Sequence, residues 1–135
     1  MTTRQAAVLA CVLGLSVALG CDTARKPKGP SDALEITDAN FDETVKTGVT
    51  LVDFGAPWCS PCRTQGPIVE QVAKAYKGKA KVGKLNTDEN SETPRKFGVR
   101  YIPTLIIFKD GERVQTFVSL QSEKQLRAAL DAQLQ

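Results

Sequence analysis

The sequence predicts an α/β fold, a single domain from Leu34 to Gln135 with a central mixed β-sheet flanked by helices. Two observations carry this. Compact apolar runs alternate with amphipathic stretches through most of the segment, the order produced by parallel strands joined through crossover helices. Near its end, Asp110-Gly111 stands between two runs of alternating apolar residues, the signal of an antiparallel hairpin.

Taken in order, Leu34-Glu35-Ile36-Thr37 alternates as an edge strand does. Asp38 or Asn40 can cap a short helix that runs to Lys46, with Phe41 and Val45 on its apolar face. Val49 to Phe54 is an unbroken apolar run of the kind buried on both faces of a sheet. Pro61 to Tyr76 carries Ile68, Val69, Val72, Ala73 and Tyr76 at helical spacing, with Gly78 as a stop and Pro67 as an expected kink. Lys81 to Asn86 is a strand, and a short helix is expected near Ser91 to Phe97. Thr104 to Phe108 and Arg113 to Val118 are the hairpin strands. The last helix opens at Ser122, with Gln125 completing a capping box and Leu126, Leu130 and Leu134 as the buried face.

Ahead of this domain, Arg4 precedes an apolar run from Ala6 to Leu19 that only Gly14 and Ser16 interrupt. That run fits the core of a signal peptide better than a membrane span, which needs about 20 apolar residues. A retained short anchor helix is the alternative. Ala18-Leu19-Gly20 suits ordinary signal peptidase, and with Cys21 it resembles a bacterial lipobox, whose Cys becomes the lipidated first residue of the mature chain. The order of Ala18 and Leu19 is the reverse of the usual one. Residues 1–20 are therefore expected as a signal peptide, Cys21 as the lipid attachment site, and 21–33 as a lipid-anchored flexible linker rich in Pro and Gly. The expected location is a membrane facing the periplasm or another extracytoplasmic space, with a soluble periplasmic form as the alternative. Eighteen Lys+Arg against fifteen Asp+Glu give a net charge of +3. That balance, with no basic stripe and no interleaved aromatics, excludes a nucleic-acid partner from the expectations.

The chemistry lies in Cys59-Ser60-Pro61-Cys62, placed where the apolar run gives way to a helix. Two thiols one helical turn apart can close into a disulfide and reopen, a reversible two-electron carrier. Half a zinc site is the competing reading, but the chain has no histidine, and Cys11 and Cys21 lie in or beside the leader, so no metal is expected. An inert structural disulfide would explain neither Trp58 nor Pro61. At the helix start, free backbone N–H groups and the positive dipole end favour a thiolate on Cys59, which makes it the attacking sulfur. Cys62, one turn on and expected to be less exposed, is the resolving sulfur. Pro61 suits the first turn, where its missing N–H costs nothing. Asp53 is a carboxyl inside an apolar strand, where an unpaired charge is costly.

From Leu34 onward the chain resembles thioredoxin. The matching residues are Val52-Asp53-Phe54, Ala56, Trp58-Cys59, Pro61-Cys62, Pro67, Lys84-Leu85-Asn86-Thr87-Asp88, Ile102-Pro103-Thr104 and Lys109-Asp110-Gly111. The resemblance implies the thioredoxin fold, with Asp53 beneath the cysteines relaying the Cys62 proton and Lys84 near that acid. A purely structural Asp53–Lys84 ion pair is the alternative. It further implies a cis Pro103 facing the cysteines and a substrate surface bordered by Trp58, Pro61, Ile102, Pro103 and Ser119. Trp58 is expected as a lid packed beside Cys59, with plain core packing as the alternative. Three positions depart from the family pattern. Gly55 stands for a common Trp, and Ser60 and Ser119 each stand for a common Gly. Ser60 keeps a small residue before Pro61, which favours reductant-like behaviour, and Ser119 adds a side chain where a partner backbone would approach.

The expected protein is a monomeric thiol–disulfide oxidoreductase that reduces disulfides of exported proteins, with electrons from a membrane thiol donor and no cofactor beyond the cysteine pair. An oxidase or isomerase on the same fold is the enzymatic alternative. A non-catalytic binding or assembly module is the alternative from another class.

Overall fold

The computed structural model describes residues 29–135; the expected signal peptide, Cys21 and the linker as far as residue 28 lie outside the described residues. The elements run β1 (Leu34–Ile36), α1 (Phe41–Val45), β2 (Val49–Gly55), α2 (Ser60–Ala75), β3 (Lys81–Asn86), α3 (Glu92–Lys96), β4 (Thr104–Lys109), β5 (Glu112–Val118) and α4 (Glu123–Gln133). They form one five-stranded sheet in the order β1-β3-β2-β4-β5. β1 and β2 each pair parallel with β3, while β4 pairs antiparallel with β2 and β5. The mixed sheet expected from the sequence is thus present, and the helical crossovers account for its parallel half.

β2 occupies the middle, and every residue from Val49 to Phe54 is buried. Alternation sends its side chains to two cores. Leu51 packs with Val69, Val72, Val82, Leu105, Ile107, Leu126 and Leu130 beneath α2 and α4. Val52 and Phe54 join Ile36, Phe41, Leu85, Ile106 and Phe108 on the opposite face. There Phe41 meets Phe108 edge-on with ring centroids 5.2 Å apart, and Phe97 meets Phe108 at 5.0 Å. Burying each of these large side chains is worth about 1.5–3 kcal/mol relative to exposure. Among the described residues, no helix is long and apolar enough to cross a membrane.

Capping differs from expectation at one end and matches it at the other. Asn40 precedes α1 but makes no cap bond; its side chain accepts from Thr37 N–H and donates to the Glu35 carbonyl. The Asp38 carboxylate instead accepts the N–H groups of Glu92 and Thr93 at 3.1 and 2.8 Å, so it caps α3 across the chain. Local spacing could not reveal a cap that long-range folding supplies. α4 carries the expected capping box between Ser122 and Gln125. Leu126 and Leu130 are fully buried, but Leu134 lies past the helix end and is exposed. α2 begins at Ser60, with Cys59 as its N-cap, and continues through Pro67.

Two polar side chains tie α2 to its surroundings. Gln65 is fully buried; its Nε2 donates to the Gln121 carbonyl at 3.1 Å, and its Oε1 accepts the Gln121 N–H at 2.7 Å. The loop after β5 is thereby bolted to the helix. Glu70 holds the end of the expected linker, accepting from Ser31 Oγ at 2.7 Å and from the N–H groups of Asp32 and Ala33 at 3.1 and 3.2 Å. The segment from Ser31 to Ala33 is therefore held against α2.

Gln65→Leu keeps the volume but leaves both backbone groups of Gln121 without their partner. We expect a loss of about 1–3 kcal/mol, read as a lower urea midpoint at unchanged slope, with faster amide exchange at residues 119–121. A variant as stable as the wild type, with unchanged exchange, would show that this pair does not hold the loop.

Candidate active site

β2 ends at Gly55, and Ala56-Pro57-Trp58 turns the chain into α2. The Cys59 N–H donates to the Ala56 carbonyl at 3.2 Å, which tightens that turn. Cys59 is extended (φ −79°, ψ 115°), the backbone of an N-cap, and its Sγ accepts the Cys62 N–H at 3.2 Å. Sulfur thus fills the place that a Ser or Asp oxygen usually takes. The same donor and the dipole end of α2 favour negative charge on Cys59 once the bond is reduced. In this structure Cys59 and Cys62 form a disulfide, with Cα atoms 5.2 Å apart.

Exposure does not separate the two sulfurs as expected. Cys59 is 5% exposed and Cys62 8%, because the turn and the Ile102 side cover the first as fully as the helix covers the second. Their surroundings do differ. Cys59 Sγ lies 3.7 Å from the Ile102 carbonyl oxygen, and the Ile102–Pro103 peptide bond is cis, as the resemblance implied. The Pro103 carbonyl in turn accepts the Ser119 N–H at 2.9 Å, so the β5–α4 loop meets the cysteines through Pro103. Ser119 holds φ at +71°, the left-handed region that favours glycine. Cys62 faces Gly55 on its other side: a Cβ built there would stand 3.3 Å from both Cys62 Cβ and Sγ. Glycine keeps that flank open.

Trp58 is not core. It is 69% exposed, and its indole N–H is shared between the two carboxylate oxygens of Asp88 at 3.1 Å. Tyr101, immediately before Ile102, is 71% exposed. Asp88 does not stand out in sequence as a partner of Trp58, since the two lie 30 residues apart and folding brings them together.

Asp53 sits in β2 opposite Lys84 of β3 and Leu105 of β4. It is 5% exposed, and its Oδ1 has no hydrogen-bond partner among the described residues. Burial pushes its carboxyl up to about 7, against the opposing pull of the Lys84 charge. A cleft of about 930 Å³ leads to it, lined by Cys62, Gly55, Arg63, Gly66, Lys84 and Ser31 among others. Asp53 and Lys84 share that cleft but form no direct pair. Lys84 Nζ lies 2.7 Å from Glu70 Oε1, so the expected alternative of a structural Asp53–Lys84 pair is corrected to a Glu70–Lys84 pair. Sequence reasoning passed over Glu70, which looks like an ordinary solvated helix residue. Gln65 left a signal, a polar residue on the apolar stripe with Val69 and Val72. Among the described residues, no group of three or more His, Cys, Asp or Glu side chains could hold a metal ion.

Comparison with known proteins agrees with this geometry. A family model described as Thioredoxin matches residues 32–132. A thioredoxin of Staphylococcus haemolyticus is 50% identical over 101 residues, covering 75% of this chain and 97% of that protein. One from Pseudomonas aeruginosa is 50% identical over 103 residues, covering 75% and 95%. A solved structure of a mutant thioredoxin from Halobacterium salinarum superposes with a TM-score of 0.72 at 34% identity, covering 80% of this chain and 96% of that one.

The raised Asp53 carboxyl has a consequence for stability. The folded state keeps this proton up to about pH 7, whereas the unfolded chain releases it near 3.8. Between those values the folded state binds more protons, so this group makes stability fall as pH rises, by on the order of 4 kcal/mol in full. Asp53→Ala removes that slope and opens a cavity that costs part of the gain. In urea melts of the oxidised proteins we expect the variant to be the weaker at about pH 4.5 and at least equal to the wild type at about pH 8. Identical pH dependence in both would rule out a buried titrating carboxyl.

Proposed function

Because the chain belongs to the thioredoxin family of thiol–disulfide oxidoreductases, we propose that it reduces disulfides of exported proteins through Cys59 and Cys62, with Asp53 as the proton acceptor. The observation that carries this reading is the N-cap geometry of Cys59, whose sulfur accepts a helix N–H and abuts the Ile102 carbonyl. The Cys59 thiolate attacks one sulfur of a client disulfide, forming a mixed disulfide and releasing the other client sulfur as a thiolate. Cys62 then gives its proton to the Asp53 carboxylate and attacks Cys59 Sγ. The Cys59–Cys62 bond forms, and the client sulfur leaves with the electron pair. A carboxyl near 7 is matched to this task, since it is both ionised and basic enough at neutral pH. A dithiol donor in the membrane restores the reduced pair by the same exchange run in reverse.

The client lies as an extended segment against Trp58, Pro61, Ile102, Pro103 and Ser119. Ser60 keeps the dipeptide between the cysteines small, in line with a reductant. Ser119 narrows the range of clients, because its side chain occupies the loop that hydrogen-bonds to Pro103. The apolar run at 6–19 and the Cys immediately after Gly20 support export with lipidation at Cys21.

Insulin-disulfide reduction and trapping of mixed disulfides test the exchange. We expect Cys59→Ser to be inactive, Cys62→Ser to accumulate client adducts, and Asp53→Ala to resolve adducts more slowly by a factor of about 10²–10⁴. Faster alkylation of Cys62 than of Cys59 in the reduced protein at mildly acidic pH would reverse the assignment of attacker and resolver.

Attachment is tested separately. Cys21→Ala should move the protein from the membrane fraction to the soluble one without changing its unfolding curve. Mass analysis of the wild-type mature N-terminus should show a lipidated Cys21, and an unmodified residue there would end the lipoprotein reading.

A further inference from the structure

Lys84 is the register partner of Asp53 on the adjacent parallel strand, so both side chains leave the same face of the sheet beneath α2. A buried carboxyl with an unsatisfied oxygen would be expected to capture so close an ammonium. It does not, because Lys84 Nζ lies 2.7 Å from Glu70 Oε1. Glu70 is itself fixed. Besides Lys84 it accepts Ser31 Oγ and the backbone N–H groups of Asp32 and Ala33, so donors from β3 and from the segment before β1 converge on one carboxylate.

We propose that Glu70 is a positioning residue for the resolving step: anchored by Ser31, Asp32 and Ala33, it holds the Lys84 ammonium in an ion pair and leaves Asp53 without a direct cationic partner. The inference rests on the proton-acceptor role given to Asp53. A carboxylate paired directly with a cation titrates lower by about 1–3 pH units, too low to take the Cys62 proton efficiently. Glu70 diverts that cation and sets a negative charge 2.7 Å from it. Burial raises the Glu70 carboxyl, but hydrogen bonds from Lys84, Ser31 and Ala33 and the Lys84 charge outweigh it and hold the group at about 2. Glu70 therefore stays ionised wherever the protein works. The other charged groups facing the cleft are Arg63 on α2, Glu35 on β1 and Glu89 after β3. Glu70 stands behind the cleft's lining, within ion-pair distance of Lys84, which does line it.

Glu70→Gln tests this in the full chain, because glutamine keeps the size and an acceptor oxygen for the linker donors while removing the charge. The Asp53 carboxyl is followed by infrared difference titration of the oxidised protein. Resolution is followed by stopped flow, from a Cys59 adduct with a chromogenic aryl thiol. We expect the Asp53 midpoint to fall by about one pH unit or more, with the acidic limb of the resolution profile moving down by the same amount. In a Lys84→Met background the Glu70→Gln shift should shrink to less than half. An unchanged midpoint, with only stability altered, would reduce Glu70 to a structural clamp and overturn the proposal. A shift of equal size in both backgrounds would overturn its action through Lys84. If Glu70→Gln does not fold, Ser31→Ala loosens the same carboxylate, and it must move the midpoint in the same direction for the proposal to stand. Since the titration needs no turnover, a lowered midpoint alongside wild-type resolution by Asp53→Ala would defeat the relay while leaving the control of Lys84 by Glu70 intact.

Discussion

β2 is shielded from water on both faces and by a hydrogen-bonded strand on each edge, and the cost of keeping one carboxyl there shapes everything around the cysteines. An ionised Asp53 in that setting has lost most of its hydration and gained no hydrogen bond to Oδ1. The protein meets the cost by protonation instead of pairing. The central strand therefore delivers an acid whose charge state changes near neutrality, directly below a helix that begins with two thiols. The packing that buries β2 is the same packing that raises the Asp53 carboxyl to about 7.

The active centre is assembled from three separate approaches to the end of that strand. The β2–α2 turn supplies both sulfurs, the cis peptide before β4 supplies a carbonyl beside Cys59, and the β5–α4 loop reaches Pro103 through the Ser119 N–H. Rigidity comes from elsewhere. Gln65 fastens the last loop to α2, and Glu70 fastens the chain ahead of β1 to the same helix. α2 is thus the common frame, and its N-terminus is where the chemistry takes place. Sites on the ends of regular elements hold their geometry better than sites on free loops, which suits an exchange reaction that needs three sulfurs nearly in line.

Much of this was legible in the sequence, for a physical reason in each case. Period-2 and period-3.6 patterns record which side chains face a core, so the order of strands and helices, the Asp110-Gly111 hairpin and the Ser122–Gln125 capping box could be read directly. The thiols were legible because Cys-x-x-Cys at a strand-to-helix junction has few other uses. Long-range polar partnerships were not. Asp38 caps α3 rather than α1, Lys84 pairs with Glu70 rather than Asp53, and Trp58 lies on the surface held by Asp88. Each of these depends on which distant residue folding brings within 3.5 Å, and spacing along the chain carries no record of it. Leu134 failed differently: its periodicity is right, but the helix ends before it.

The missing side chain at Gly55 gives the disulfide two unlike approaches. Cys59 faces the Ile102–Pro103 side, where a polypeptide can lie flat, whereas Cys62 borders a cleft that admits water and small solutes but no folded protein. Access is therefore sorted by size. The first side suits a macromolecule, and the second a small solute. A bulkier residue at position 55 would press on the Cys62 sulfur, 3.3 Å from the nearest added carbon, and narrow that second approach.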